Sequence, residues 1–179
     1  MSGSERVASA AVARAANAGG DIPDTSLSAA AVEAAEAIAI APGHIEVSWL
    51  DQLEASGLDR LFYGELVGVV ARLIGVDSFL VGVGGSLIPL PEPVAGEPSR
   101  SVNNRATVTD AWLPTVGTAR AATVLSANRP EMLAQKDIHE GFYLAYEDIG
   151  ELGLVVDGLS RTQMELVAAR TSYLNHCVY

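Results

Sequence analysis

The sequence has 179 residues, enough for one domain with a hydrophobic core or for two small repeated units that share one. Apolar residues make up 49% of it and charged residues 18%, so we expect the chain to fold. The formal net charge is −11 and Lys136 is the only lysine, which argues against a nucleic-acid partner, because phosphate contacts need clustered basic side chains. The single cysteine excludes an internal disulfide framework and predicts a cytoplasmic location.

The first 25 residues are a run rich in alanine and serine, without the strongly apolar stretch of a secretory signal. We therefore expect residues 1–25 to form a flexible tail, either loosely helical or disordered.

An apolar stretch over residues 66–88 has about the length of a membrane span, but Arg72 and Asp77 lie near its middle. Each such charge costs about 2.5–3.5 kcal/mol at the centre of a bilayer. We therefore predict a buried helix followed by a glycine-rich loop, and no contact with a membrane. Asp77 is expected either to pair with Arg72 or to cap the end of a helix.

Helical patterns dominate the first half of the chain. Ser28 precedes an alanine-rich segment that Pro42 ends, which predicts a helix over residues 29–41. A second, longer helix is predicted over residues 59–76. Two serine–aspartate pairs have the spacing of a capping box, Ser48 with Asp51 and Ser56 with Asp59.

Glycine and proline interrupt the helical pattern over residues 81–114, which predicts a long connection. The glycines at 82, 84 and 85 do not complete a dinucleotide fingerprint, because Leu87 and then prolines follow. With no convincing pair of strands, the predicted fold class is all-α. Further helices are predicted over residues 116–127, from Pro130 through Tyr146, and from Arg161 to Asn175 behind a capping box of Ser160 and Gln163.

Two segments of the chain about one hundred residues apart resemble each other, with one residue of slip. Residues 56–60 correspond to 157–161, and residues 64–67 correspond to 164–167. Both predicted helices carry a glutamate at the matching place, at 65 and at 165. Without gaps, the same alignment places an aspartate at position 77 opposite the cysteine at 177.

The second copy carries a more specific pattern. Glu165 is followed twelve residues later by Cys177, in the context Asn175-His176-Cys177-Val178-Tyr179. This pattern resembles the core motif of the carboxymuconolactone decarboxylase and alkylhydroperoxidase-D superfamily. That motif continues with a second cysteine three residues on and a histidine four beyond it, at positions 180 and 184, which this sequence does not contain.

The resemblance implies an all-α, alkylhydroperoxidase-D-like (AhpD-like) fold with two repeats, the first degenerate and the second incomplete. Its domains would be the tail, a first repeat with its connection over residues 26–115, and a second repeat over residues 116–179 that is cut off at the cysteine motif. It also implies a homo-oligomer that needs no cofactor, reduces organic hydroperoxides as small-molecule substrates and receives electrons from an external dithiol reductant.

The resemblance assigns Glu165 as the proton-relay carboxylate and Cys177 as the resolving thiol. We expect the chain as given to be inactive by the two-cysteine route, because the sulfenic acid has no second thiol in the chain to capture it. Along one straight helix the two residues would lie about 18 Å and about 120° apart. They can cooperate only if the chain bends near Asn175.

Simpler interpretations remain open beside this one. Cys177 can be a small buried residue near a frayed end, and Glu165 a solvated helix residue or, with Glu65, a buried carboxylate between helices. The three histidines, among them His44 and His139, have no partners at ligand spacing, which predicts no metal site. The alternative functions are a non-catalytic helical oligomerisation module and a cofactor-free decarboxylase or lactonase of the same superfamily.

Overall fold

The computed structural model describes residues 1–175, which are mostly helical, as the sequence predicted. The chain forms two compact units, Met1–Gln135 and Lys136–Tyr179. The elements in chain order are α1 (Gly3–Asn17), α2 (Ala29–Ile40), α3 (Val47–Ala55), α4 (Arg60–Gly82), α5 (Arg129–Phe142), β1 (Val155–Val156), β2 (Leu159–Ser160) and α6 (Arg161–Leu174).

The core of the first unit lies where α1, α2 and α4 pack on one another. Helix α2 follows the predicted serine cap and presents a stripe of small side chains, spaced by three or four residues, to this core. Alanine at these places lets the neighbouring helices approach closely. The fully buried members of the core include Val12, Ala34, Leu50, Leu66 and Val70.

Residues 3–17 form a helix, one of the two forms predicted for the tail, but the prediction that this segment is flexible is wrong for α1. Ser2 caps this helix, and Glu5 completes a capping box by accepting a hydrogen bond from the backbone N–H of Ser2. Val12 and Ala13 on α1 are fully buried in the core. Short alanine and serine side chains therefore make this segment a packing surface.

Two predicted helix caps are also wrong. Ser48 lies inside α3, whose N-cap is Glu46, and Ser56 ends that helix as its C-cap. The next helix, α4, starts one residue after Asp59, which itself accepts hydrogen bonds from the first-turn N–H groups. Helix α4 also runs six residues beyond the predicted end at Val76.

Asp77 lies buried within α4 and neither caps a helix nor pairs with Arg72. Both oxygens of its carboxylate accept hydrogen bonds from Arg14 of α1, each at 2.8 Å. This bidentate pair satisfies the buried charge. In the part of the chain that the structure describes, no helix is long and apolar enough to cross a membrane.

The connection after α4 is irregular, as predicted, but the helix predicted over residues 116–127 does not form. This segment is a series of turns held by side-chain hydrogen bonds: the Thr123 hydroxyl accepts from the N–H of Arg120, and the Ser126 hydroxyl accepts from the N–H of Val116. Such local bonds satisfy the backbone groups that a helix would otherwise pair.

The second unit contains the C-terminal end of α5, a short hairpin and α6. Helix α5 ends at Phe142, before the predicted Tyr146. Strands β1 and β2 form an antiparallel pair, so the prediction that no strands pair is wrong. Asp157 and Gly158, which join them, both have positive φ, as a two-residue hairpin turn requires. Helix α6 begins at Arg161 behind the predicted capping box and runs to Leu174.

Candidate functional site

Glu165, the predicted relay carboxylate, lies in the second turn of α6 within the second compact unit. Its side chain is about half exposed, at 49%, but it is not simply solvated. The Tyr143 hydroxyl donates a hydrogen bond to its Oε1 atom, and Nη2 of Arg161 forms an ion pair with the same atom. Glu165 therefore has two directed partners, one on the residue that follows α5 and one on its own helix.

Arg161 is the most buried member of this group, with 7% of its surface exposed. Its guanidinium carbon lies 5.6 Å from the centre of the Tyr143 ring, so the cation also contacts the aromatic face. Within residues 1–175, its Nε and Nη1 atoms are buried without a hydrogen-bond partner. A buried guanidinium that retains donors favours negative charge beside it.

His139 adds an imidazole to the same cluster. Its ring stands edge-on to Tyr143, with the ring centres 5.7 Å apart, and stacks on Tyr146 at 4.5 Å. Its Nε2 atom is buried and has no hydrogen-bond partner in the described part of the chain. Burial lowers the pKa of His139 and so favours the neutral ring.

The contacts of Glu165 also change its ionisation. The hydrogen bond from Tyr143 and the charge of Arg161 hold the pKa of Glu165 below its ordinary value, so the carboxylate stays ionised at neutral pH. Burial and the bond to Glu165 raise the pKa of Tyr143, which keeps the phenol protonated. At neutral pH, Tyr143 therefore keeps its phenolic proton, and the ionised carboxylate of Glu165 lies beside it as a proton acceptor.

Cys177, the predicted thiol, lies outside the described residues 1–175. Cooperation between Glu165 and Cys177 is predicted to require a bend of the chain near Asn175. Helix α6 ends at Leu174, and the side-chain amide of Asn175 donates a hydrogen bond to the carbonyl of Thr171 at 2.8 Å. Within the described residues, the helix that carries Glu165 therefore ends before Asn175.

Glu65, the counterpart of Glu165 in the repeat, is also held by cations. It accepts a hydrogen bond from the amino group of Met1 at 2.9 Å and pairs with Arg6 at 3.4 Å. Arg6 in turn lies 2.6 Å from Glu131, a buried carboxylate that also pairs with Arg72 of α4. Glu65 therefore connects α4 to α1, whereas Glu165 connects α6 to the residue that follows α5.

Sequence reasoning identified Glu165 and missed its partners. The spacing of Arg161 and Glu165, at i and i+4 on one helix, was available as a signal for an ion pair. Tyr143 is 22 residues away in sequence, and only the fold brings it to Glu165. Glu131 was missed because a lone glutamate in the first turn of a helix usually indicates a solvated capping residue.

Among the described residues, no group of three or more histidine, cysteine, aspartate or glutamate side chains is placed to hold a metal ion. Taken together, fold and site define a mostly helical protein with a glutamate, tyrosine and arginine cluster at the start of its last described helix. Comparisons with protein-family models, with curated proteins and with solved structures found no match.

Proposed function

We propose that this protein takes part in the thiol-dependent reduction of organic hydroperoxides, with Glu165 as the proton relay and Cys177 as the thiol. The observation that carries the proposal is the directed setting of Glu165, which accepts a hydrogen bond from the Tyr143 hydroxyl and pairs with the buried Arg161. A solvated helix residue would lack these partners. The family resemblance of the segment from Glu165 to Cys177 adds independent support.

The reaction needs a proton to leave the thiol and a proton to reach the departing alkoxide. A thiolate sulfur attacks one oxygen of the hydroperoxide, the O–O bond breaks, and the sulfur becomes a sulfenic acid while the other oxygen leaves as an alkoxide. The thiol has lost one proton and the alkoxide must gain one. Glu165 accepts the first proton, and the phenol of Tyr143 or the protonated Glu165 supplies the second.

The catalytic cycle closes when a second thiol condenses with the sulfenic acid, which releases water and forms a disulfide that a dithiol then reduces. The sequence holds one cysteine, so this second thiol must come from outside these 179 residues. In the two-cysteine arrangement that the resemblance implies, Cys177 is the resolving thiol. Here it is the only thiol that can meet the peroxide, and we expect one oxidation event per chain without added dithiol.

The test is a single-turnover oxidation of the reduced chain by cumene hydroperoxide, followed as loss of free thiol and gain of cumyl alcohol. We expect Glu165→Gln to slow this oxidation by about 10²-fold at neutral pH, the low end of the range for a general acid–base group. Glu151→Gln is the matched control, because it removes the same charge from an exposed residue of the same unit. Equal rates in the two variants would refute the relay role of Glu165.

A second candidate function, the non-catalytic oligomerisation module, is favoured by the surface of α6. Leu166, Val167 and Leu174 expose 72%, 66% and 60% of their surfaces, which a partner helix would cover. A chain that oligomerises in solution while its thiol reacts no faster with peroxide than an unstructured thiol would favour this candidate over the peroxidase.

A further inference from the structure

A polar cleft lies within the unit Met1–Gln135, and Tyr143, Arg161 and Glu165 do not line it. Its volume is about 340 Å³, near the lower end of the range of roughly 300–1,000 Å³ that holds small molecules. The cleft opens to solvent at Ser99 and Arg100. Its polar lining comprises Arg6, Glu65, Ser99, Arg100, Asn128 and Glu131.

Both carboxylates of the cleft are already neutralised. Glu131 is 3% exposed and pairs with Arg6 and Arg72, and Glu65 pairs with Arg6 and the amino group of Met1. Burial by itself would raise the pKa of Glu131, but the two guanidinium groups outweigh burial and lower it. The cleft therefore offers little uncompensated negative charge to a cationic ligand.

Among the cations that line the cleft, Arg100 is the one without a partner in the described part of the chain. Within residues 1–175, its guanidinium makes no hydrogen bond or ion pair, although it lines the cleft. Its backbone has φ of +50°, in the left-handed region that L-residues other than glycine, asparagine and aspartate rarely adopt. Backbone strain of this kind is common where a side chain is held for a ligand.

The groups around the cleft carry a net positive charge, although the molecule as a whole is negatively charged. Three cationic groups line the cleft with two carboxylates, namely the guanidinium groups of Arg6 and Arg100 and the amino group of Met1, in a chain whose net charge is −11. Arg72, which pairs with Glu131 from outside the lining, adds a fourth cation. Asn128 and Pro130, at the start of the 14-residue helix α5, also line the cleft, so the positive end of the helix dipole faces it. Each contribution favours an anion.

We propose that this cleft binds a small organic anion, whose carboxylate or phosphate oxygens accept hydrogen bonds from Arg100 and the exposed part of Arg6. The planar guanidinium of Arg100 can bind either oxyanion with two parallel hydrogen bonds. The hydroxyl of Ser99 and the amide of Asn128 are placed to hold the polar remainder of the ligand.

The test is calorimetric titration of the full chain at low ionic strength with three probes: benzoate, inorganic phosphate, and benzylamine as a cation of similar size to benzoate. We expect saturable binding of at least one of the two anions and none of benzylamine. Arg100→Asn should weaken anion binding about ten- to a hundredfold, the usual range for a lost charged hydrogen bond. Asparagine tolerates the left-handed backbone, so this change removes the guanidinium and keeps the loop.

Arg105→Asn is the matched control, because it removes the same charge from an exposed residue outside the cleft lining. Binding of benzoate alone or of phosphate alone, sensitive to Arg100, would support the site and identify its chemistry. Binding that both variants weaken equally, or the absence of saturable binding of either anion, would overturn the proposal.

Discussion

Gly68 shows how one missing side chain makes a buried charge possible. The Glu131 carboxylate lies directly against its Cα on α4, in the space that a Cβ atom would occupy. Arg6 and Arg72 fix that carboxylate from two sides, so it cannot move aside without loss of an ion pair. A glycine at this place therefore serves close packing, not flexibility.

We expect Gly68→Ala to lower the free energy of unfolding by about 1–3 kcal/mol, the usual cost of an overpacked site. Gly75→Ala is the control on the same helix. Nothing lies within 4 Å of its would-be Cβ, so alanine should raise the stability there by about 0.5–1 kcal/mol through its better helix propensity. Both tryptophans, Trp49 and Trp112, lie in the first unit, so their fluorescence in urea reports on its unfolding. Equal effects of the two substitutions would contradict the packing of Glu131 against α4.

At the scale of single residues, the sequence could indicate which positions allow close packing but not which atoms contact them. The close approach that Gly64 and Gly68 permit could be foreseen from their size. The nearest atom to Gly64 is a side-chain carbon of Leu113 at ordinary contact distance, while Gly68 faces a carboxylate. Which atom approaches a glycine depends on how residues 49 or 63 apart in sequence meet, and no local pattern encodes that.

Helices with strong caps could be predicted, and segments governed by side-chain hydrogen bonds could not. Helices α2 and α6 start where their serine caps indicated. The turns at residues 116–127 were mistaken for a helix because their apolar and alanine content is helical, while their threonine and serine hydroxyls bind the backbone locally. The hairpin was missed although Asp157-Gly158 is a strong turn signal, because its strands have only two residues each.

The ion pairs of Glu131 join three helices and should make the stability of the first unit depend on pH. The pKa of this carboxyl is held below its ordinary value of 4.5, so its stabilising effect is complete above that pH and is lost as the pH falls through the folded-state pKa. At neutral pH we expect Glu131→Gln to lower the free energy of unfolding by about 3 kcal/mol, because two guanidinium groups lose their counter-charge.

The measurement is urea unfolding of the wild type and Glu131→Gln over a series of pH values, followed by tryptophan fluorescence. The difference in stability should be constant from about pH 7 to about pH 5 and should shrink below about pH 4.5. A difference that persists undiminished at about pH 3 would show that the charge of Glu131 does not stabilise the three helices.

At the scale of the whole molecule, the two compact units carry different chemistry. The first unit holds a small-residue core, the buried Asp77 and Glu131 and the cationic cleft. The second holds the cluster around Glu165, on a helix with a largely exposed apolar surface. Composition could predict a mostly helical chain, but the division after Gln135 falls inside α5, within residues 131–140, which contain no proline or glycine.

We propose that the folded chain makes Cys177 a reactive thiol. This proposal is tested most directly by the second-order rate constant for oxidation of this thiol by cumene hydroperoxide, compared with that of a synthetic peptide of residues 173–179. The peptide has the same local sequence but lacks Glu165 and its partners. We predict that the folded chain reacts at least about tenfold faster at neutral pH, since relay groups accelerate proton transfer. Equal rate constants for chain and peptide would show that Glu165 and its partners do not activate the thiol.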